Sequence, residues 1–288
     1  MAVDRHKLRK FLGGDFTILR LIRTLLLGYA GIVCFAQLFS DNIIFQPQPV
    51  SYHDCPEIIK ITTPDGTRIS TLHFLNPNAI FTILYSHGNA EDIGDIRPIA
   101  NALANHGFSV LAYDYRGYGT SDGKPSEHGV YQDIEAVHGY MVDEMKISPR
   151  SIIALGRSLG NGPTIHLASV KDVAGIILES PFVSAYRVVT KFPVIPFDKF
   201  RNGAMIHRVT CPVLVIHGDN DGIIPFWHGQ AIFEKANEPK LSLWVKGAGH
   251  LDLMEMAGSR YWEAISNLLK IIESHGKCDE VLPQMYET

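Results

Sequence analysis

From residue 58 onward, unbroken apolar runs of strand length alternate with stretches whose apolar positions recur at helical spacing. Ile58–Thr62 and Arg68–Leu75 read as two strands, and Pro64-Asp65-Gly66 between them is a strong turn signal. Ile80–Ser86, Phe108–Tyr113, Ile152–Leu155, Val173–Leu178, Val213–Ile216 and Leu241–Val245 read as further strands. Between them the spacing predicts helices over Asp92–Asn105, Val130–Met145, Thr164–Val170, Phe226–Ala236 and Tyr261–Ile272. In the first of these, Ile93, Ile96, Ile99, Ala100 and Leu103 form one stripe. Apolar strands separated by helices predict an α/β fold, a mostly parallel sheet covered on both faces, and the opening hairpin gives it an antiparallel N-terminal edge. One domain is expected over 49–275, with 276–288 as a C-terminal tail.

Residues 1–48 break this pattern. Arg5, His6, Lys7, Arg9 and Lys10 form a basic cluster, and the 17 residues Thr24–Ser40 carry no charge. That length is at the lower limit for spanning a bilayer core, and snorkelling by Arg20 and Arg23 extends it. A membrane-anchor segment over about 24–40 is therefore expected. A cleaved signal peptide and a soluble hydrophobic helix are the alternatives, and no clean cleavage site follows. Positive charge ahead of the segment favours that end in the cytoplasm, but so short a segment also suits a monotopic anchor, which leaves sidedness open.

The remaining composition narrows the chemistry. Net charge is −4 with no basic patch beyond residue 25, which speaks against nucleic acid as a partner. Cys34, Cys55, Cys211 and Cys278 are scattered without a C-x-x-C pair, and no H-E-x-x-H occurs, so neither a metal nor another cofactor is expected. The sequence carries no signal for oligomeric state.

In a parallel sheet, reacting groups collect at the carboxyl ends of strands. There the sequence places His87-Gly88-Asn89-Ala90, Asp114, Ser158, Glu179, Asp219, Asp221 and His250. Gly156-Arg157-Ser158-Leu159-Gly160 ends an apolar run and opens a helix, the strand–turn–helix setting of a nucleophile elbow. A serine hydroxyl is a poor nucleophile until an imidazole takes its proton, and a carboxylate fixes that imidazole's tautomer. Ser158, Asp221 and His250 occur in a chain order suited to these roles, with Asp219 and Glu179 as competitors for the acid. The backbone N–H of Leu159 and one from the His87–Ala90 loop, Asn89 first and Ala90 second, are the expected oxyanion donors. His87 reads as structural, as do His166, His207, His217 and His228. Asp114 and Arg116 read as loop braces. Arg157 suits either an anionic substrate or a surface salt bridge.

Several motifs in order carry a resemblance: Tyr85-Ser-His-Gly-Asn-Ala-Glu-Asp92, Tyr113-Asp-Tyr-Arg-Gly-Tyr-Gly119, Gly123-Lys-Pro-Ser126, the elbow, Ile216-His-Gly-Asp-Asn-Asp221 and Gly247-Ala-Gly-His250. From about residue 57 to 275 the chain resembles the α/β-hydrolase superfamily. Within it, the chain is similar to membrane-anchored serine hydrolases related to the alpha/beta-hydrolase-domain-containing depalmitoylases, with a serine-aminopeptidase-type domain. The resemblance implies Ser158, Asp221 and His250 as the triad of an α/β-hydrolase fold, and a short cap at about 181–208. The apolar residues of that segment suit either an acyl pocket or plain packing on the sheet. Depalmitoylases of this type carry a lipid-modified cysteine cluster, where this chain has a hydrophobic segment with Cys34 alone. No acidic site for a free α-amine is identifiable either. The expected activity is cleavage of a carboxylic ester or thioester of a small-molecule or lipid acyl substrate through an acyl-enzyme. An amide or peptide hydrolase is the first alternative, and a non-catalytic membrane-tethered interaction protein the second.

Overall fold

Eight strands form one sheet in the order β1-β2-β4-β3-β5-β6-β7-β8 among the residues that the computed structural model describes, 17–281. They are β1 Ile58–Thr62, β2 Arg68–Phe74, β3 Thr82–Ser86, β4 Ser109–Tyr113, β5 Ile152–Arg157, β6 Gly175–Glu179, β7 Val213–Gly218 and β8 Lys240–Val245. β1 and β2 pair antiparallel, β2 meets β4 antiparallel, and β3 to β8 run parallel. The helices are α1 Ile18–Ile44, α2 Arg97–Asn105, α3 Glu127–Asp143, α4 Asn161–Val170, α5 Ala185–Val189, α6 Asn202–Met205, α7 Trp227–Lys235, α8 Leu253–Ala257 and α9 Ser259–Val281. The basic residues Arg5 to Lys10 and the last part of the expected tail lie outside the described residues.

The alternation of side chains along the strands builds two cores. Leu84, Leu111, Ala154, Ile176 and Val215 face one way, toward residues of α3 and α4 such as Ile134, Val137 and Ile165. Their neighbours Ile83, Tyr85, Val110, Leu155 and Ile216 face the other way, toward Ala100 and Leu103 of α2 and Ile265 and Leu268 of α9. Burial on both faces is why these strands read as unbroken apolar runs.

Element boundaries shift where side chains redirect the backbone. The helix expected from Asp92 begins at Arg97, because the Asp92 carboxylate accepts the N–H groups of Gly94 (2.9 Å) and Asp95 (3.2 Å) and holds a turn there. Ile93 and Ile96 remain buried, contributed by that turn. α3 begins at Glu127, ahead of the expected Val130, capped by Ser126 Oγ accepting from Gly129 N at 3.1 Å. α9 continues past Ile272 to Val281.

The chain divides into two units, Met1–Ile43 and Ile44–Thr288. In the first, α1 is 27 residues long, roughly 40 Å at helical rise, with a mean hydropathy of 1.8 over its 18-residue window. By length and composition it is able to cross a membrane, a property that signal sequences share. The second unit starts at Ile44.

Candidate active site

Ser158 follows β5 and stands at φ +53°, a left-handed conformation that side-chain-bearing residues rarely adopt. The turn Ser158–Gly160 passes directly into α4. The two flanking glycines permit this packing. A Cβ at Gly156 would lie 2.6 Å from the Gly160 carbonyl oxygen, and one at Gly160 would collide with the Ser86 carbonyl at the end of β3. The buried Asn161 amide donates to the carbonyls of Ser158 (2.9 Å) and Glu179 (2.8 Å), tying the turn to the end of β6.

Three side chains meet at this edge. Ser158 Oγ lies 2.9 Å from His250 Nε2, and His250 Nδ1 lies 2.7 Å from Asp221 Oδ2. The loop after β8 supplies His250 and the loop after β7 supplies Asp221, so residues distant in sequence converge through the strand order. Asp221 is buried, and burial alone would favour its neutral form. Hydrogen bonds from His217, His250 and the Ile224 N–H outweigh that and hold the carboxyl well below the usual carboxylate range. Its other oxygen accepts from the N–H groups of Ile223 (2.9 Å) and Ile224 (2.8 Å), an anchoring independent of the histidine.

The competing acids lie elsewhere. Asp219 is exposed and accepts from the Gly247 N–H at 2.6 Å, bracing the loop that carries His250. Glu179 is buried, bonded to the Tyr261 hydroxyl at 2.5 Å, and burial raises its pKa.

Leu159 N–H and Asn89 N–H find no acceptor among the described residues. Leu159 sits in the first turn of a helical segment, where N–H groups have no intrahelical partner. The Asn89 side chain takes a part that the sequence did not disclose. Its Nδ2 donates to the Ile44 carbonyl (2.7 Å), and its Oδ1 accepts from Gln46 N (3.0 Å) and the Tyr118 hydroxyl (2.7 Å). The loop is also tied behind: Gly88 N donates to Glu91 Oε2 at 2.8 Å, and Glu91 pairs with Arg157 at 3.3 Å. Arg157 is thus engaged inside the protein rather than in a surface salt bridge. It is buried, and it reaches the Leu251 carbonyl at 3.2 Å, linking the elbow strand to the histidine loop.

His87 is fully buried, with Nδ1 2.7 Å from the Gly88 carbonyl and Nε2 3.4 Å from Asp114. Burial opposes its charging, but the Asp114 carboxylate outweighs this and raises its pKa. Asp114 also accepts from Ile93 N (2.8 Å) and the Tyr52 hydroxyl (2.5 Å), while Arg116 binds Asp133 and Asp65 at 2.8 Å each. Both residues brace loops. Sequence reasoning passed over His217 as a contact of the acid: its Nε2 lies 3.3 Å from Asp221 Oδ2 and 3.0 Å from the Ile224 carbonyl. Its place four residues before Asp221 was the available signal.

The cap segment mixes two populations. Phe182 and Phe200 are buried, whereas Val189 and Phe192 are 89% and 76% exposed. A cavity of about 310 Å³ lies under it, bordered by Val183, Arg187, Pro193, Ile195 and Phe197; Ser158 does not line it. Among the described residues, no group of three or more His, Cys, Asp or Glu is placed to hold a metal ion.

A hydroxyl, an imidazole and a carboxylate in hydrogen-bonded series, beside two backbone N–H donors, have the geometry for acyl transfer. A family model described as serine aminopeptidase, S33, matches residues 77–202. The human alpha/beta hydrolase domain-containing protein 17B is 40% identical over 206 residues, 69% of this chain and 71% of its own length. The Caenorhabditis elegans alpha/beta hydrolase domain-containing protein aho-3 is 39% identical over 220 residues, 75% of this chain and 66% of its own. Among solved structures, an esterase from Pyrococcus furiosus superposes with a TM-score of 0.64 at 23% identity, over 78% of this chain and 98% of that one. An alpha-beta serine hydrolase homologue from Coxiella burnetii gives 0.60 at 21% identity, over 76% and 100%. At such identities the solved structures speak for the fold alone.

Proposed function

We propose, for a chain that belongs to the α/β-hydrolase family of alpha/beta hydrolase domain-containing protein 17, that it cleaves a carboxylic ester or thioester of an acyl substrate through a covalent acyl-enzyme. The carrying observation is the unbroken series Ser158–His250–Asp221, at 2.9 Å and 2.7 Å. His250 Nε2 takes the Ser158 proton as Oγ bonds to the acyl carbon, and returns it to the departing alcohol or thiol. Water then bonds to the acyl carbon by the same route, giving up a proton to His250, which passes it to Ser158 Oγ as the acyl–oxygen bond breaks and the acid departs. Asp221 holds Nδ1–H and stabilises the imidazolium. The N–H groups of Leu159 and Asn89 receive the charge on the acyl oxygen; one such donor is worth on the order of a hundredfold or more in rate. No cofactor takes part in this scheme.

The hydrolase unit in this reading is joined to a membrane by α1, which its length, its hydropathy of 1.8 and its lack of a buried face in the window support. A second reading, cleavage of a peptide amide, is favoured by the serine aminopeptidase description of the matching model. A fluorophosphonate probe tests the common nucleophile: it labels the wild-type chain and not Ser158→Ala. Labelling that persists in Ser158→Ala refutes the assignment. Turnover of acyl thioesters against aminoacyl amides then separates the two readings.

A further inference from the structure

We infer that the cap, with the loops carrying Asp221 and His250, seats against an anionic lipid bilayer surface, so that the mouth of the proposed site opens onto the membrane. The inference rests on the site reading above but adds a surface to it. Isolated exposed apolar side chains are ordinary, whereas several gathered at one edge mark an interaction surface. Val189, Phe192 and Val194 of the cap are 89%, 76% and 53% exposed, Leu251 directly after His250 is 72% exposed, and Ile223 beside Asp221 is 57% exposed.

The cap and the Asp221 loop are linked through the start of α7. His228 Nε2 donates to the Arg187 carbonyl at 3.1 Å, and the Arg187 guanidinium lies 5.1 Å from the Trp227 ring centroid. The cap thus rests on the start of α7, the helix that follows the Asp221 loop. That loop is in turn bonded to His250, whose neighbour is Leu251.

Charge selects the partner. Residues 185–201 carry Arg187, Lys191, Lys199 and Arg201 against one carboxylate, Asp198. Asp198 is engaged within the cap by the Ser184 hydroxyl (2.6 Å) and the N–H groups of Tyr186 (2.9 Å) and Lys199 (2.8 Å). Exposed apolar side chains among cations are the composition of an interfacial segment drawn to anionic headgroups. The chain also enters this unit at the same edge: the Ile44 carbonyl is bonded to Asn89, in the loop beside Ser158.

Hydrogen exchange of the full chain tests this, comparing detergent micelles, phosphatidylcholine vesicles, and the same vesicles with added phosphatidylserine. Amides of residues 185–201 are expected to exchange on the order of tenfold more slowly with phosphatidylserine present, while those of 63–67 in the first hairpin are unchanged. The double variant Val189→Asp/Phe192→Asp is expected to lose the slowing and keep full turnover of a water-soluble short-chain ester. Equal exchange in micelles and vesicles overturns the inference, as does equal slowing without phosphatidylserine. Failure of the hydrolase reading shows itself separately, as loss of fluorophosphonate labelling at Ser158 while the slowing persists.

Discussion

The elbow and the cap lie on one edge of one sheet and are built in opposite ways. At the elbow the neighbours leave almost no freedom. Gly156 and Gly160 admit no Cβ, Asn161 spends both amide hydrogens on the carbonyls of the turn and of the end of β6, and the buried Arg157 is paired with Glu91. The cap is anchored by the buried rings of Phe182 and Phe200 and by polar bonds through His228 and Asp198, and between them it carries the exposed Val189, Phe192 and Val194. In the proposed function the reacting groups need sub-ångström placement and are mounted on the buried sheet, while the element proposed to meet a membrane presents exposed side chains. Chemistry and recognition are thereby separable.

The sharpest way to break this comparison is at the acid. Asp221→Asn is expected to lower turnover on the order of ten-thousandfold, and Asp219→Asn to leave it within about threefold, read as initial rates on one ester. Inverted results would move the acid to Asp219. The same variant has a pH signature. Because the folded Asp221 carboxyl is held below its ordinary value of about 4, its contribution to stability is present above that pH and drains away as pH falls through the lower folded value. Chemical denaturation should therefore show the wild type gaining over Asp221→Asn at pH 7 and pH 5, with the gap closing below about pH 4.

At the scaffold itself, Gly160→Ala drives a methyl into the Ser86 carbonyl. It is expected to cost about 1–3 kcal/mol in thermal or denaturant unfolding, with loss of labelling at Ser158. The cap should respond more mildly. His228 accepts from Val183 N at 3.1 Å through Nδ1 and donates through Nε2 to Arg187, and burial lowers its pKa to about 4, so the neutral ring bridges both. His228→Ala is expected to cost about 1–2 kcal/mol in denaturant unfolding, with kcat on a short ester nearly unchanged. A loss in kcat as large as that of Asp221→Asn would erase the distinction between the two regions.

Much of this architecture was legible in the sequence because its causes are local. β1 matches its expected bounds, and the remaining strands agree to within two residues at either end. Strand ends then placed Ser158, Asp221 and His250 on one edge without any contact being known. What escaped depends on neighbours in space. Arg157 suits either an anionic substrate or a surface salt bridge until Glu91 and the Leu251 carbonyl are seen beside it, and Asn161, ahead of the expected helix, gives no signal of its bond to the Glu179 carbonyl. His217 stands just past the expected strand, and beyond its spacing from Asp221 it takes the fold to turn its ring onto that carboxylate. The late start of α2 was signalled by Asp92, whose side chain competes for the N–H groups that a helix would use.

Under the proposed mechanism, Asn89 ties the amino-terminal boundary of the hydrolase unit to the oxyanion loop. Its amide clasps Ile44 and Gln46, and the Tyr118 hydroxyl closes the ring of bonds by accepting from Gln46 N at 3.1 Å. A shortened, solubilised enzyme begun at residue 49 would discard two of those three partners and hand the amide to water, next to the very peptide group counted on to greet a charged oxygen. If the proposed oxyanion role of Asn89 holds, trimming this protein for convenience at the bench alters its rate.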